Sequence, residues 1–125
     1  MKLQSKQATT KQAGDAAEAQ ALAHLSRAGL RLVARNYRTP GRGGGEVDLI
    51  LRDTDGTLVF TEVRLRASSR FGGAAASVGV AKRRRIVFAA RHFLMRLPAP
   101  PPCRFDVVAI EGTRIDWLQG AFDAA

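Results

Sequence analysis

The residues best suited to chemistry are acids set in two strand-like runs, Gly45-Glu46-Val47-Asp48-Leu49-Ile50-Leu51-Arg52 and Leu58-Val59-Phe60-Thr61-Glu62-Val63-Arg64-Leu65-Arg66. Both runs alternate apolar and polar residues, the period of a half-buried strand. Between them Asp53-Thr54-Asp55-Gly56 is a hairpin signal. A three-residue loop with left-handed Gly56 pairs Asp53 with Thr57. Counting back sets Ile50 opposite Phe60, Asp48 opposite Glu62 and Glu46 opposite Arg64, all on one face. Directly opposed carboxylates destabilise a sheet. They call for a bound cation, a nearby Arg or Lys, or a raised pKa on one acid. A hard divalent ion such as Mg²⁺ takes one or two carboxylates and leaves room for water and phosphate oxygens. There it would acidify bound water and polarise a phosphoryl oxygen. The Val63 carbonyl is placed to contribute.

Arg64, two residues after Glu62, stands where a hydrolytic site would want a lysine. Arginine can stabilise developing charge but cannot act as a base. An ion pair with Glu46 across the strands is an equal reading of Arg64.

Composition narrows the partners. Among 125 residues, Lys and Arg number 20 against 11 Asp and Glu, a net charge of +9. That balance favours polyanions, with nucleic acid first. The single Cys103 excludes an intramolecular disulfide and a cysteine-based zinc site, and fits the cytoplasm. His24 and His92 stand alone and read as ordinary surface or core histidines. No apolar run reaches membrane-spanning length and no signal peptide is visible, so no membrane partner is expected.

The elements that must carry the acids follow from pattern. Residues 11–28 are Ala-rich and free of turn signals, a helix with Ala21, Leu22, Leu25 and Ala28 on its apolar stripe and Gly29 as its stop. Glu18 lies four residues before Leu22, so it points with that stripe or sits at its margin in solvent. Residues 30–37 read as a strand and 39–45 as a Gly-rich mobile loop without phosphate-loop or dinucleotide spacing. After the hairpin, residues 67–77 form a loop and 78–97 a helix. Ile86, Ala89, Ala90, Phe93, Leu94 and Leu97 make its apolar face, and Lys82 extends that face. Arg84 and Arg85 read as a solvated surface or as phosphate contacts. Four prolines between residues 98 and 102 end the helix. Residues 104–110 and 113–118 make a last hairpin, and 119–125 a loose tail. The whole is one α/β domain over residues 1–125, with a mixed sheet, packed helices and flexible ends at about 1–10 and 119–125.

Several of these segments together resemble the UPF0102 (YraN-like) family. They are Gly14, Glu18, Arg35-Asn36-Tyr37-Arg38, Gly45-Glu46-Val47-Asp48-Leu49-Ile50, Val59-Phe60-Thr61-Glu62-Val63-Arg64-Leu65-Arg66, Lys82 and Arg104-Phe105-Asp106-Val107-Val108. That family is similar to archaeal Holliday-junction resolvases and to the PD-(D/E)-x-K nuclease-like group. The resemblance implies a restriction-endonuclease-like three-layer fold, a mixed central β-sheet flanked by helices. It implies a metal-dependent nuclease holding Mg²⁺ or Mn²⁺ through Asp48, Glu62 and Glu18. The motif lysine falls on Arg64, a departure that leaves a catalytically impaired nucleic-acid-binding module as the alternative. Lys82, directed at the sheet by helical spacing, is the residue to supply the missing lysine. Arg38, Arg42, Arg66, Arg70 and Arg83 are the expected nucleic-acid contacts. A homodimer is an expectation from the resemblance alone.

Overall fold

Alternating side chains give a sheet two apolar faces, and each needs a cover. The computed structural model, which describes residues 10–66 and 78–124, supplies one helix to each face. In chain order the elements are α1 (Thr10–Arg27), β1 (Arg31–Arg38), β2 (Glu46–Arg52), β3 (Leu58–Leu65), α2 (Val80–Leu94), β4 (Cys103–Glu111) and β5 (Arg114–Phe122). The strands lie side by side in that same order. β3 and β4 run parallel while the other neighbouring pairs are antiparallel. A parallel pair requires a crossover, and α2 lies within it. This is the α/β, three-layer, restriction-endonuclease-like arrangement with a mixed central sheet.

Two cores result. On one face Ile50, Phe60, Phe105 and Val107 pack with Ile86, Ala90 and Phe93 of α2. On the other, Leu49, Leu51, Val59, Val108 and Ile110 pack with Ala17, Ala21 and Leu25 of α1. The inner strands β3 and β4 are covered on both sides, which is why they read as nearly continuous apolar runs. Gly29, at φ +100°, ends α1 and turns the chain so that Leu30 donates to the Leu25 carbonyl (3.1 Å). Leu30 is therefore buried and Ala28, expected on the stripe, is exposed.

The hairpin follows the expected register. The Asp53 amide donates to Thr57 (2.9 Å), Gly56 has φ +90°, and Ile50 pairs with Phe60. Other boundaries differ. α2 is shorter than residues 78–97, because Val78 is buried ahead of the helix and its carbonyl accepts from the Arg83 Nε (2.9 Å). β5 does not stop at Leu118 but continues to Phe122. Its continuation is held by the Gly120 amide donating to Asp106 (3.0 Å) and by Phe122 stacking on Phe105 with ring centroids 5.1 Å apart. The 39–45 loop, read as a mobile connection, is closed at its neck by Thr39, whose hydroxyl accepts the Gly45 N–H (2.7 Å). No helix among the described residues is long and apolar enough to cross a membrane.

Candidate functional site

The site begins with a break in strand alternation. Ala34 and Tyr37 both pack against the α2 core, as do Val47 and Ile50. Residues three apart should lie on opposite faces of a regular strand. Both strands therefore change face between these positions, where Asn36 sits across from Asp48, flanked by the pairs Arg35 with Leu49 and Tyr37 with Val47. Asn36 has φ +49°, a conformation that asparagine tolerates better than most side chains. The β2–β3 ladder ends nearby, at Leu49 with Thr61. Beyond that pair Asp48 reaches across instead, and its Oδ2 accepts the Val63 N–H at 2.8 Å.

Glu62 is only 2% exposed. Its Oε2 lies 3.6 Å from Lys82 Nζ and 3.6 Å from Arg64 Nη1. Its Oε1 is buried with no hydrogen-bond partner, and such an atom costs desolvation without return. Burial first, and then the neighbouring Asp48 carboxylate, push the Glu62 carboxyl up to about 8, against the opposing pull of Lys82 and Arg64. Asp48 and Glu62 thus form one electrostatic unit, as the hairpin count indicated.

The same count fails one step further out. Glu46 does not meet Arg64, because the strands have parted there. Glu46 pairs instead with Arg85 (2.9 Å), Arg38 (3.6 Å) and Lys82 (3.9 Å). Arg64 turns to Glu62. Lys82, from the first turn of α2, lies between Glu46 and Glu62, as the helical spacing predicted. Arg85 is three residues further along the same helix face, a spacing that could have identified it.

Glu18 approaches from α1 and lines a cavity of about 420 Å³ that Asn36, Arg38, Glu46 and Asp48 share. With its amide nitrogen turned inward, Asn36 donates to both Glu18 oxygens at 3.2 and 3.3 Å. Desolvation, followed by the Asp48 charge, raises the Glu18 carboxyl above its ordinary value, while Arg35 and Asn36 pull it down. Among the described residues, no three His, Cys, Asp or Glu side chains close into a ready metal-binding group. Asp48 and Glu62 do fit a divalent cation. They are two adjacent hard-oxygen donors, and the unpartnered Glu62 Oε1 would gain a counter-charge. Glu18, occupied by Asn36, stands further out on the rim.

The expected nucleic-acid contacts divide. Arg38 precedes the 39–45 loop and pairs with Glu46, while Arg42 lies within the loop. Arg66 follows β3, its amide donating to Ile110 (2.8 Å). Arg83 lies elsewhere on α2, with its guanidinium 5.4 Å from the centre of the Phe122 ring. Arg70 falls outside the described residues. The two histidines are structural: His92 shares a 2.6 Å hydrogen bond with Tyr37, and His24 meets Trp117 edge-on. One important acid, quoted in the resemblance, was given no role from the sequence. Asp106 is fully buried and accepts from Arg104 (3.0 Å), the Trp117 indole (2.9 Å) and the Gly120 amide (3.0 Å). Arg104 continues to Asp53 (3.0 Å). This network ties β4 to β5 and to the hairpin turn.

The model of UPF0102, an uncharacterised protein family, matches residues 17–110. Three similar relatives are each called a UPF0102 protein. The one from Paracidovorax citrulli (strain AAC00-1) is 71% identical over 120 residues, covering 96% of this chain and 89% of that protein. The one from Acidovorax sp. (strain JS42) is 72% identical over 117 residues, covering 94% of this chain and 89% of that protein. The one from Methylibium petroleiphilum is 64% identical over 120 residues, covering 94% of this chain and 98% of that protein.

Proposed function

The chain belongs to the UPF0102 family, and on that premise we propose that it is a metal-dependent nuclease hydrolysing phosphodiester bonds in nucleic acid, DNA ahead of RNA and branched or structured DNA included. One observation carries this reading. A carboxylate pair, buried Glu62 and half-buried Asp48, with a lysine 3.6 Å from Glu62, stands in a protein of net charge +9. Such a pair costs stability that Lys82, Arg64 and the raised Glu62 carboxyl return only in part, and a bound cation would relieve the remainder.

Asp48 and Glu62 are the residues that would hold Mg²⁺ or Mn²⁺, with Glu18 at the rim. When bound, the ion supplies Lewis acidity toward a phosphoryl oxygen and a more acidic water. The chain's own groups prepare the rest. The Val63 amide fixes the Asp48 carboxylate. Glu46 and Glu62 hold Lys82 between them, so its ammonium is preorganised for charge that develops on the phosphoryl group. Arg64 adds positive charge without base chemistry. Lys82 fills the part that the arginine cannot. A reducing, cytoplasmic setting belongs to the same reading, since Cys103 is a free, exposed thiol.

The test is cleavage of labelled single-stranded, duplex and four-way-junction DNA in Mg²⁺ or Mn²⁺ and in EDTA. Wild type, Asp48→Ala and Glu62→Ala are compared. Metal-dependent cleavage lost in both variants supports the nuclease. Calorimetry that finds no metal binding at millimolar Mg²⁺ or Mn²⁺ overturns it. Arg64 favours a second reading, a nucleic-acid-binding module whose catalysis is impaired. It predicts salt-sensitive binding without cleavage, and a gain of cleavage in Arg64→Lys.

A further inference from the structure

The 39–45 loop is unexplained by the acid site, yet it is built with unusual closeness. Its neck is closed by Thr39 and Gly45 through two hydrogen bonds, Gly45 N–H to the Thr39 hydroxyl (2.7 Å) and Thr39 N–H to the Gly45 carbonyl (3.0 Å). Gly45 itself lies against α2, where any Cβ would meet the Arg85 carbonyl oxygen. The loop and α2 therefore share one wall with Arg85 at its edge. Arg38, Gly41, Gly43, Gly44 and Arg85 line the resulting basin of about 320 Å³.

Two properties of this basin point to an anion. The first is backbone shape. Gly41 and Gly43 have φ of +86° and +66°, with Arg42 of ordinary φ between them. Such alternation can turn successive N–H groups to one side, the concave arrangement that holds oxyanions. No described acceptor takes the N–H of Gly43 or Gly44. The second is charge. Glu46, on the basin wall, faces the two cations that line it, Arg38 and Arg85. One carboxylate cannot neutralise both, so the wall keeps a surplus of positive charge beside glycine backbone. A phosphate fits this chemistry better than a carboxylate, because it offers several acceptor oxygens to separated donors.

We propose that the basin formed by the 39–45 loop, Arg38 and Arg85 is a phosphate subsite, taking a backbone phosphate of the nucleic-acid strand beside the one at Asp48 and Glu62. This deepens the nuclease reading and rests on it for the identity of the ligand. Glu46 is then a positioning residue. It holds Arg38, Lys82 and Arg85 in place before the strand arrives, and joins the subsite to the acid pair through Lys82.

Two measurements on the full chain test it. In the first, inorganic phosphate is titrated into ¹⁵N-labelled protein while amide shifts are followed. The amides of residues 41–45 should move, and those shifts should disappear in Arg38→Ala/Arg85→Ala. Both side chains are largely exposed, at 73% and 52%, so the variant keeps its fold, and its spectrum verifies this directly. No movement at the loop overturns the subsite. In the second, fluorescence anisotropy measures duplex DNA binding in EDTA against salt concentration. The double variant should shallow the log–log slope by about 0.9, the share of one phosphate, while Arg114→Gln, on the β5 hairpin, serves as the charge-loss control. An unchanged slope, or an equal change in the control, overturns the assignment to the strand while leaving the nuclease reading standing. Loop shifts with phosphate in a wild type that binds no DNA would mark a free-phosphate site and overturn the strand assignment together with that reading.

Discussion

Glu62 should make the folded protein lose stability as pH rises. Its carboxyl titrates near 8 in the native state, against an ordinary value of 4.5. Between those pH values the native protein holds a proton that the unfolded chain has released. The unfolded state binds fewer protons, so the stability slope with pH is negative across that window. The interval from 4.5 to about 8, at about 1.4 kcal/mol per tenfold change in proton affinity, sets a ceiling of about 5 kcal/mol. Glu18, also raised by desolvation and Asp48, contributes in the same direction. Asp53 and Asp55 are lowered by hydrogen bonds from their turn; their contribution is present above the ordinary Asp value and is lost only in stronger acid. The assay is urea unfolding in EDTA from pH 5 to 9, for wild type and Glu62→Gln. With a urea slope of about 2 kcal/mol per molar, the wild-type midpoint should fall by up to about 2 M. Glutamine mimics the protonated acid, so the variant should match wild type at pH 5 and exceed it at pH 9. Millimolar Mg²⁺ at pH 8 should restore wild-type stability, because an ion bound by the native state favours the deprotonated carboxylate. A wild-type midpoint flat across the range, or a variant that keeps the wild-type slope, refutes the reasoning.

Lys82→Met should lower cleavage by about 10²- to 10³-fold, the usual effect of losing one preorganised charge-stabilising group. It should do so more severely than Arg64→Ala, and steady-state kinetics on the preferred DNA decides between them. Asp106→Ala should cost about 3 kcal/mol, because it removes the buried acceptor shared by Trp117 and Gly120 and leaves Arg104 with Asp53 alone. Denaturant unfolding would measure that loss, and metal titration of the variant at low temperature should be unaffected. Gly45→Ala should destabilise by about 2 kcal/mol or more, since its Cβ would overlap the Arg85 carbonyl oxygen and come within 2.7 Å of the Ala89 nitrogen. A thermal midpoint equal to wild type would mean that α2 does not press on the loop as described.

The hairpin, both helices and the apolar faces were legible because local rules set them. Asp53-Thr54-Asp55-Gly56 fixes a turn, the turn fixes a register as far as Leu49 with Thr61, and Asp48 and Glu62 lie just beyond its end. Helical spacing alone turns Lys82 toward the sheet, and Gly29 alone ends the first helix. Family resemblance added the three-layer arrangement. What failed depended on contacts distant in the chain. Strict alternation put Glu46 across from Arg64, but a single left-handed residue, Asn36 on the neighbouring strand, sits where both β1 and β2 change face and the β2–β3 ladder ends. Parity counting carries no information about such a switch, since the left-handed turn at Asn36 is joined to Glu18 on another element. Asp106 gave no local sign either: its partners Trp117 and Gly120 lie in another strand, and only their meeting makes a buried acid affordable. Likewise the end of β5 was set by Phe122 finding Phe105. Sequence by itself determined which residues could form each element and which acids shared a hairpin. Tertiary structure decided which cation each acid received, because ion pairing depends on where strands part and where a helix comes down, and both are set by the packing of the whole sheet.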